Sequence, residues 1–228
     1  MSLNEQGFTV IDTPPLDDLV LAEFEKLPLD PYTGSTQRYR RFSQFRLVHD
    51  GGWELELLPH RHFAQPRQYN DLVGGRMRTL EPLTADPSPL IAAGAEALGL
   101  DKGTVWQLNV HQCRVVSTPE VDGVAAPEGP HRDGHQYGIV AVTHRRNISG
   151  GETQLMPLGG GEPFFRTVLR DGQAIAFDDR LMFHHVTDIQ HLTDEGGHRD
   201  VWLVAVNDWD HRRYGEEYER EVHESNGV

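Results

Sequence analysis

Tyr137-Gly138-Ile139-Val140-Ala141-Val142-Thr143-His144 follows Pro127-Glu128-Gly129-Pro130-His131-Arg132-Asp133-Gly134-His135-Gln136. The later run is apolar and rich in β-branched residues, which suit a pleated strand. The earlier run carries two prolines and two glycines, the chemistry of turns. A loop therefore becomes a strand here, with a histidine and an aspartate at the junction.

The same texture continues on both sides. Val105–Val116, Glu152–Leu158, Phe164–Leu169, Gln173–Phe177, Met182–Val186 and Val201–Val206 are short runs rich in Val, Ile, Phe and Thr. Ser149-Gly150-Gly151, Gly159-Gly160-Gly161, Asp171-Gly172 and Glu195-Gly196-Gly197 punctuate them. Short strands at near-regular spacing predict a sandwich or jelly-roll barrel. Upstream, Leu16, Leu19, Val20, Phe24 and Leu27 keep helical spacing until Pro28. A second helix is expected over Pro89–Leu98, with Ser88 as N-cap and Gly99 at the C-terminal cap. The expectation is one mainly β domain over 1–228: a helical N-terminal part at about 1–103, a barrel core at about 104–208 and a charged tail at 209–228, whose end from Gly215 is helical or frayed.

At 228 residues the chain fits one domain. Its formal charge of −14 repels phosphate backbones, so nucleic-acid partners are disfavoured. A lone cysteine, Cys113, excludes an internal disulfide and any multi-cysteine metal site, and it suits a cytoplasmic protein. The first ten residues carry no secretory pattern, and no apolar run has the ~20 residues of a membrane helix. Histidine is abundant, at 13 residues.

His131-Arg132-Asp133 puts two metal-ligand types two residues apart, on one face if the backbone is extended. A second, distant histidine would complete a 2-His-1-carboxylate set, which suits Fe(II). Composition alone gives about one such pair by chance, and the chain holds a second in His198-Arg199-Asp200. Context separates them. From Asp133 it is 51 residues to His184, and Arg199 follows 15 residues later at the start of an apolar strand. An arginine entering such a strand is expected to hold an anion. Strand alternation does not choose between His184 and His185, since both faces of Met182–Val186 are mixed. A kinase reading of His131-Arg132-Asp133 fails for want of a Gly-rich phosphate loop and an Asp-Phe-Gly.

These residues resemble a bacterial family of iron(II)/2-oxoglutarate dioxygenases that includes L-isoleucine hydroxylase and related free-amino-acid hydroxylases. The segments that carry the resemblance are Pro127–Gly134, Arg146–Glu152, Asp178–His184 and Gly197–Val201, with weaker similarity at Gln68-Tyr69-Asn70 to Arg76 and in Arg38–Arg46. The resemblance implies a double-stranded β-helix, the cupin-like jelly roll, flanked by N-terminal helices. It implies His131, Asp133 and His184 as iron ligands, the family pattern placing the distal ligand after an aromatic residue. It implies Arg199 as partner of the distal carboxylate of 2-oxoglutarate. Fe(II), 2-oxoglutarate and O2 then hydroxylate or sulfoxidise a small molecule, a free L-amino acid, with release of succinate and CO2. Two rivals are a cupin-like metalloenzyme that does not use 2-oxoglutarate and a non-catalytic, stress-related metabolite-binding protein.

A free amino acid needs a cation for its carboxylate and an anion for its ammonium. Arg114 on the strand Val105–Val116 is one candidate, and Glu120 and Asp122 in the following loop are others. Arg38, Arg40, Arg41 and Arg46 read as a solvated basic face.

Overall fold

The computed structural model describes residues 3–224. Twelve strands are seen among them: β1 (Phe8–Asp12), β2 (Arg38–His49), β3 (Trp53–Leu57), β4 (Trp106–Ser117), β5 (Tyr137–Arg146), β6 (Ile148–Gly150), β7 (Thr153–Pro157), β8 (Phe165–Thr167), β9 (Gln173–Asp178), β10 (Met182–Val186), β11 (Ile189–His191) and β12 (Gly197–Asp208). Three helices join them: α1 (Asp18–Ala22), α2 (Ser88–Leu98) and α3 (Glu216–Glu224). None is long and apolar enough to cross a membrane.

Seven strands form one antiparallel sheet in the order β1-β9-β5-β12-β4-β2-β3. A three-stranded sheet, β10-β7-β8, and the pair β11-β6 make the smaller layer. This is the jelly-roll arrangement expected from the strand spacing.

The large sheet is buried on both sides, and alternation sorts its residues. Trp202, Val204 and Val206 of β12 join Leu108, Val110, Ala141, Ala174 and Ala176 against Leu90, Ile91 and Leu98 of α2. Val201, on the opposite face of β12, joins Cys113, Val140, Val142, Ile175 and Phe177 against Leu155 and Met182 of the small sheet. Strands covered on both faces need apolar residues at successive positions, which is why they read as unbroken runs. The α2 helix approaches β5 closely at Gly94, where a Cβ would collide with Ile139 Cδ1.

The N-terminal part departs from the helical expectation for 1–103. It supplies β1, β2 and β3, one edge of the large sheet and the other edge's last two strands. β2 escaped detection because Arg38, Arg40, Arg41 and Arg46 interrupt its apolar residues. The helix expected over Leu16–Leu27 is a single α turn capped by Asp17, then a 3₁₀ turn, Glu23–Lys26. Its second half is the more deeply buried: Phe24 is 1% exposed, while in the first half Val20 is partly buried against the core and Leu19 is 75% exposed. In α2, Pro87 occupies the cap position in place of Ser88, while Gly99 is left-handed as expected, at φ 66°. Arg199 lies inside β12, which begins at Gly197.

Candidate metal centre and pocket

The turn before β5 is laid against β10 by two backbone hydrogen bonds. His131 N–H donates to the His184 carbonyl at 3.0 Å, and His184 N–H donates back at 2.8 Å. This puts the two rings side by side, with centroids 4.4 Å apart. Asp133 completes the group: Oδ1 lies 3.7 Å from His131 Nε2, and Oδ2 lies 3.5 Å from His184 Nε2. One donor atom from each of the three falls within 4.8 Å of the others. His185, which pairs with Gln154 of β7 as His184 pairs with Leu155, is not among these donors.

Each donor is oriented by a further contact. His131 Nδ1 lies 2.8 Å from the Gly129 carbonyl, which fixes the proton there and leaves the Nε2 lone pair facing Asp133. Asp179, only 1% exposed, is the organiser. Its carboxylate accepts from the backbone N–H groups of Asp133, Gly134 and His135 at 3.3, 2.8 and 3.1 Å. Its Oδ1 also lies 3.4 Å from His184 Nδ1. Gly134 has φ 76°, and a Cβ there would run into the Tyr69 ring. Arg213, from beyond β12, donates to the carbonyls of Asp133 and Gly134. Asp179 and Arg213 thus clamp the 133–135 turn from two later parts of the chain.

Charge in the group is strongly coupled. Burial pulls the His184 imidazolium down, but hydrogen bonds to Asp133 and Asp179 outweigh it and carry His184 up to about 10. Burial also pushes the Asp133 carboxyl up, but His184 and His131 hold it well below the usual range. Burial and the nearby Arg213 push His135 down to about 3, and Asn207 Nδ2 lies 2.8 Å from its Nδ1.

The group opens onto a cavity of about 130 Å³ between the sheets. Phe177, Val186, Leu203 and Ala205 give it an apolar side, and Arg38, Arg40, Arg78, Asn70 and Glu128 a polar one. Arg38 and Arg40 therefore face the pocket, a correction to the solvated face expected of them. Arg40 is ion-paired to buried Asp30 at 2.6 Å.

Arg199 sits on the inward face of β12, four residues before Leu203, and does not itself line the cavity. It is 3% exposed. Its Nε and Nη2 have no protein partner, and Nη1 of neighbouring Arg145 is equally unpartnered. Gly151 leaves room beside both, since a Cβ there would come within 3.2 Å of Arg199 Cδ. Burial, then Arg145, lowers Arg199 to about 10. A buried guanidinium beside a second cation calls for an anion.

The other substrate candidates are not brought to the pocket. Arg114 points to the helix side of the large sheet. It forks onto Asp200 at 2.7 and 2.8 Å and onto Glu25 at 2.8 and 2.7 Å, which leaves it saturated. Glu120 and Asp122 are exposed, and Asp122 accepts from Gln190. Sequence reasoning missed Arg78, Gln65, Glu128, Asp179 as an organiser and Arg213. Glu128 and Asp179 lie inside the quoted motifs, so proximity to His131 and His184 was their only signal.

A second set of donors lies outside the pocket. His144, His198 and Asp200 also bring ligand atoms within 4.8 Å of one another. Arg114 occupies it, with Nη2 3.4 Å from His198 Nε2.

Residues 21–205 match the model of the 2OG-Fe dioxygenase family. Among solved structures, the chain is similar to a bsmA homolog from Methylobium petroleophilum PM1, at 31% identity and TM-score 0.75 over 90% of each chain. It is similar in fold to IDO from Bacillus thuringiensis, at 17% identity and TM-score 0.65 over 89% of this chain and 94% of that one. It is also similar in fold to TqaL, an Fe(II)/(alpha)ketoglutarate-dependent dioxygenase, at 12% identity and TM-score 0.58 over 88% and 82%. No curated protein matches the chain.

Proposed function

The chain belongs to the 2OG-Fe dioxygenase family, and from that premise we propose that His131, Asp133 and His184 hold its iron and that its substrate is a free L-amino acid. The family uses Fe(II), 2-oxoglutarate and O2. The donor set fits Fe(II): two imidazoles and one carboxylate meet at one end of a cavity, with the remaining positions open to small ligands. That convergence is the observation that carries the reading.

Bound iron supplies the oxidising chemistry, coupling the decarboxylation of 2-oxoglutarate to succinate and CO2 with transfer of one oxygen atom to the substrate. The residues of the chain do the rest. Gly129 and Asp179 hold the Nδ1 side of His131 and His184, so that each Nε2 presents its lone pair. Asp133 enters as a carboxylate. Arg199, with Arg145 beside it, is assigned to the distal carboxylate of 2-oxoglutarate, and the unpartnered guanidinium atoms next to Gly151 support this. A cupin-like enzyme that did not use 2-oxoglutarate would leave those cations buried to no purpose. Phe177, Val186 and Leu203 keep water from the reacting face. The proposed single domain spans the barrel and its N-terminal strands together, since β1, β2 and β3 are part of the same sheet.

The test is succinate formation by anaerobically reconstituted protein given Fe(II), 2-oxoglutarate and O2, screened against the common L-amino acids. At least one aliphatic or thioether amino acid is expected to raise turnover above the substrate-free background. Stimulation by peptides, nucleotides or lipids alone would overturn the substrate assignment.

A further inference from the structure

The polar side of the cavity holds more charge than the metal group and Arg199 account for. Arg40 is neutralised by Asp30, and half-buried Arg38 is tied to the Ala125 carbonyl at 3.1 Å. Arg78 is different. It is 2% exposed, and its Nε has no partner. Its contacts are uncharged: Gln65 Oε1 at 3.3 Å and the face of Phe63 at 4.1 Å. Among the described residues no carboxylate reaches ion-pair distance of it. Burial, then Arg40, moves it down to about 9.

On the same polar side stands the opposite charge, also with an unpartnered atom. Glu128 Oε2 is buried without a partner. Its Oε1 accepts from Asn70 at 3.4 Å and lies 3.7 Å from His131 Nε2. Arg78 and Glu128 line one pocket without pairing with each other. Arg78 is a buried cation without a counter-charge, half-buried Glu128 keeps one buried oxygen without a partner, and a ligand that carries both signs on neighbouring atoms satisfies both. Gln65 fixes how far such a ligand stands from the metal group. Its Oε1 accepts from Arg78, and its Nε2 donates to Asp133 Oδ1 at 3.2 Å.

We propose that Arg78 and Glu128 form a zwitterion clamp, Arg78 binding the carboxylate and Glu128 the ammonium of the amino-acid substrate. The proposal rests on the amino-acid reading above and assigns it residues that sequence reasoning did not. A carboxylate and an ammonium on one carbon fit the pair, whereas a simple amine or a simple acid leaves one charge unmatched. The clamp is separate from Arg199, so the two anions of the reaction, cosubstrate and substrate, go to different arginines.

Binding tests this without relying on turnover. Ligand-observed NMR of Mn(II)- and 2-oxoglutarate-loaded protein with the pooled common L-amino acids identifies a binder. Its decarboxylated amine and its deaminated acid are then titrated. Wild-type protein is expected to bind the amino acid roughly 10- to 150-fold more tightly than either analogue, the range of one charged hydrogen-bonding group. Glu128→Gln is expected to remove the preference over the deaminated acid, and Arg78→Met the preference over the amine, with Arg78→Lys in between. Equal binding of all three compounds to wild-type protein overturns the clamp, and that result needs no variant to fold. It is equally overturned if no pooled amino acid binds, or if Arg78→Met weakens 2-oxoglutarate instead of the amino acid. Binding with the expected preferences but no succinate under any condition would sink the dioxygenase reading and leave the clamp. Succinate without amino-acid binding would do the reverse.

Discussion

The chain contains two His-x-Asp pairs, and each ends beside a second histidine: His131 and Asp133 with His184, His198 and Asp200 with His144. By donor type and spacing the two sets are alike. They differ in what already stands among the donors. In the outer set Arg114 forks onto the Asp200 carboxylate and approaches His198, so a protein cation fills the place of a metal. In the inner set the nearest contacts of the rings are Gly129, Asp179 and one another, and every one turns an imidazole lone pair or a carboxylate oxygen inward. A donor inventory therefore does not define a metal site. The absence of a protein cation from outside the set among the donors does, together with the cavity beside them. Strand parity adds a second contrast, since Arg199 lies between His198 and Asp200 yet faces the interior while they face the helices.

The largest effect expected of this contrast is on iron itself. His184→Ala should abolish turnover and remove tight Fe(II) binding, while His185→Ala and His198→Ala keep coupled turnover. Anaerobic titration should give one Fe(II) per chain in wild-type and His198→Ala proteins. A second equivalent lost with His198 would show that the outer set binds metal after all, and a dead His185→Ala beside an active His184→Ala would reverse the ligand assignment.

Next comes the pair of arginines. Arg199→Ala should weaken 2-oxoglutarate by a hundred- to several-thousand-fold, from the ~3–5 kcal/mol lost when a buried ion pair loses one partner. Lysine should restore only part, because an ammonium lacks the fork. Arg114→Ala should leave 2-oxoglutarate affinity unchanged, as read by titration under nitrogen. A smaller effect belongs to Asp179→Ala, which frees the 133–135 turn and the Nδ1 side of His184. It should lower Fe(II) affinity by roughly 10- to 100-fold, and unchanged affinity would deny Asp179 its orienting role. The smallest functional effect is that of Arg114→Ala on turnover, which should be none. Its consequence is for stability: Asp200 is left buried without its cation, and calorimetry should show a melting temperature lower by roughly 10 °C.

How much of this was legible beforehand depended on where chemistry and pattern coincide. β4, β5, β9 and β12 were readable because both their faces are largely buried, so successive residues are apolar and the turns between them carry glycine, whereas β6 and β11, three residues each and partly exposed, were missed. β2 was hidden by the opposite circumstance. Arg38 and Arg40 line a pocket, Arg40 paired to buried Asp30, and a buried arginine looks like a surface one in a sequence. The convergence of His131, Asp133 and His184, proposed above to hold iron, was legible because they lie in a strand-and-turn context. Arg78, Gln65 and Glu128 were not, since they come from an irregular segment and a loop, where no periodicity says which way a side chain points. Arg114 misled because the alternation that should place it gives a face but not which face is inside. Asp200 and Glu25, far away in sequence, decide that.

β12 is the last strand in the chain and the middle strand of the large sheet, hydrogen-bonded to β4 on one side and β5 on the other. During synthesis, β2, β3 and β4 leave the ribosome long before the strand that joins them to β5, β9 and β1. Until Gly197–Asp208 emerges, β4 and β5 are open edges with apolar residues on both faces, the kind of surface that chaperones cover and that aggregates when they do not. A message cut short before this strand yields two unjoined half-sheets, and with them neither Arg199 nor Arg213. Assembly of the sheet and completion of the site thus wait on the same late dozen residues, so a nascent chain lacks the arginine proposed to anchor 2-oxoglutarate for as long as it lacks its fold.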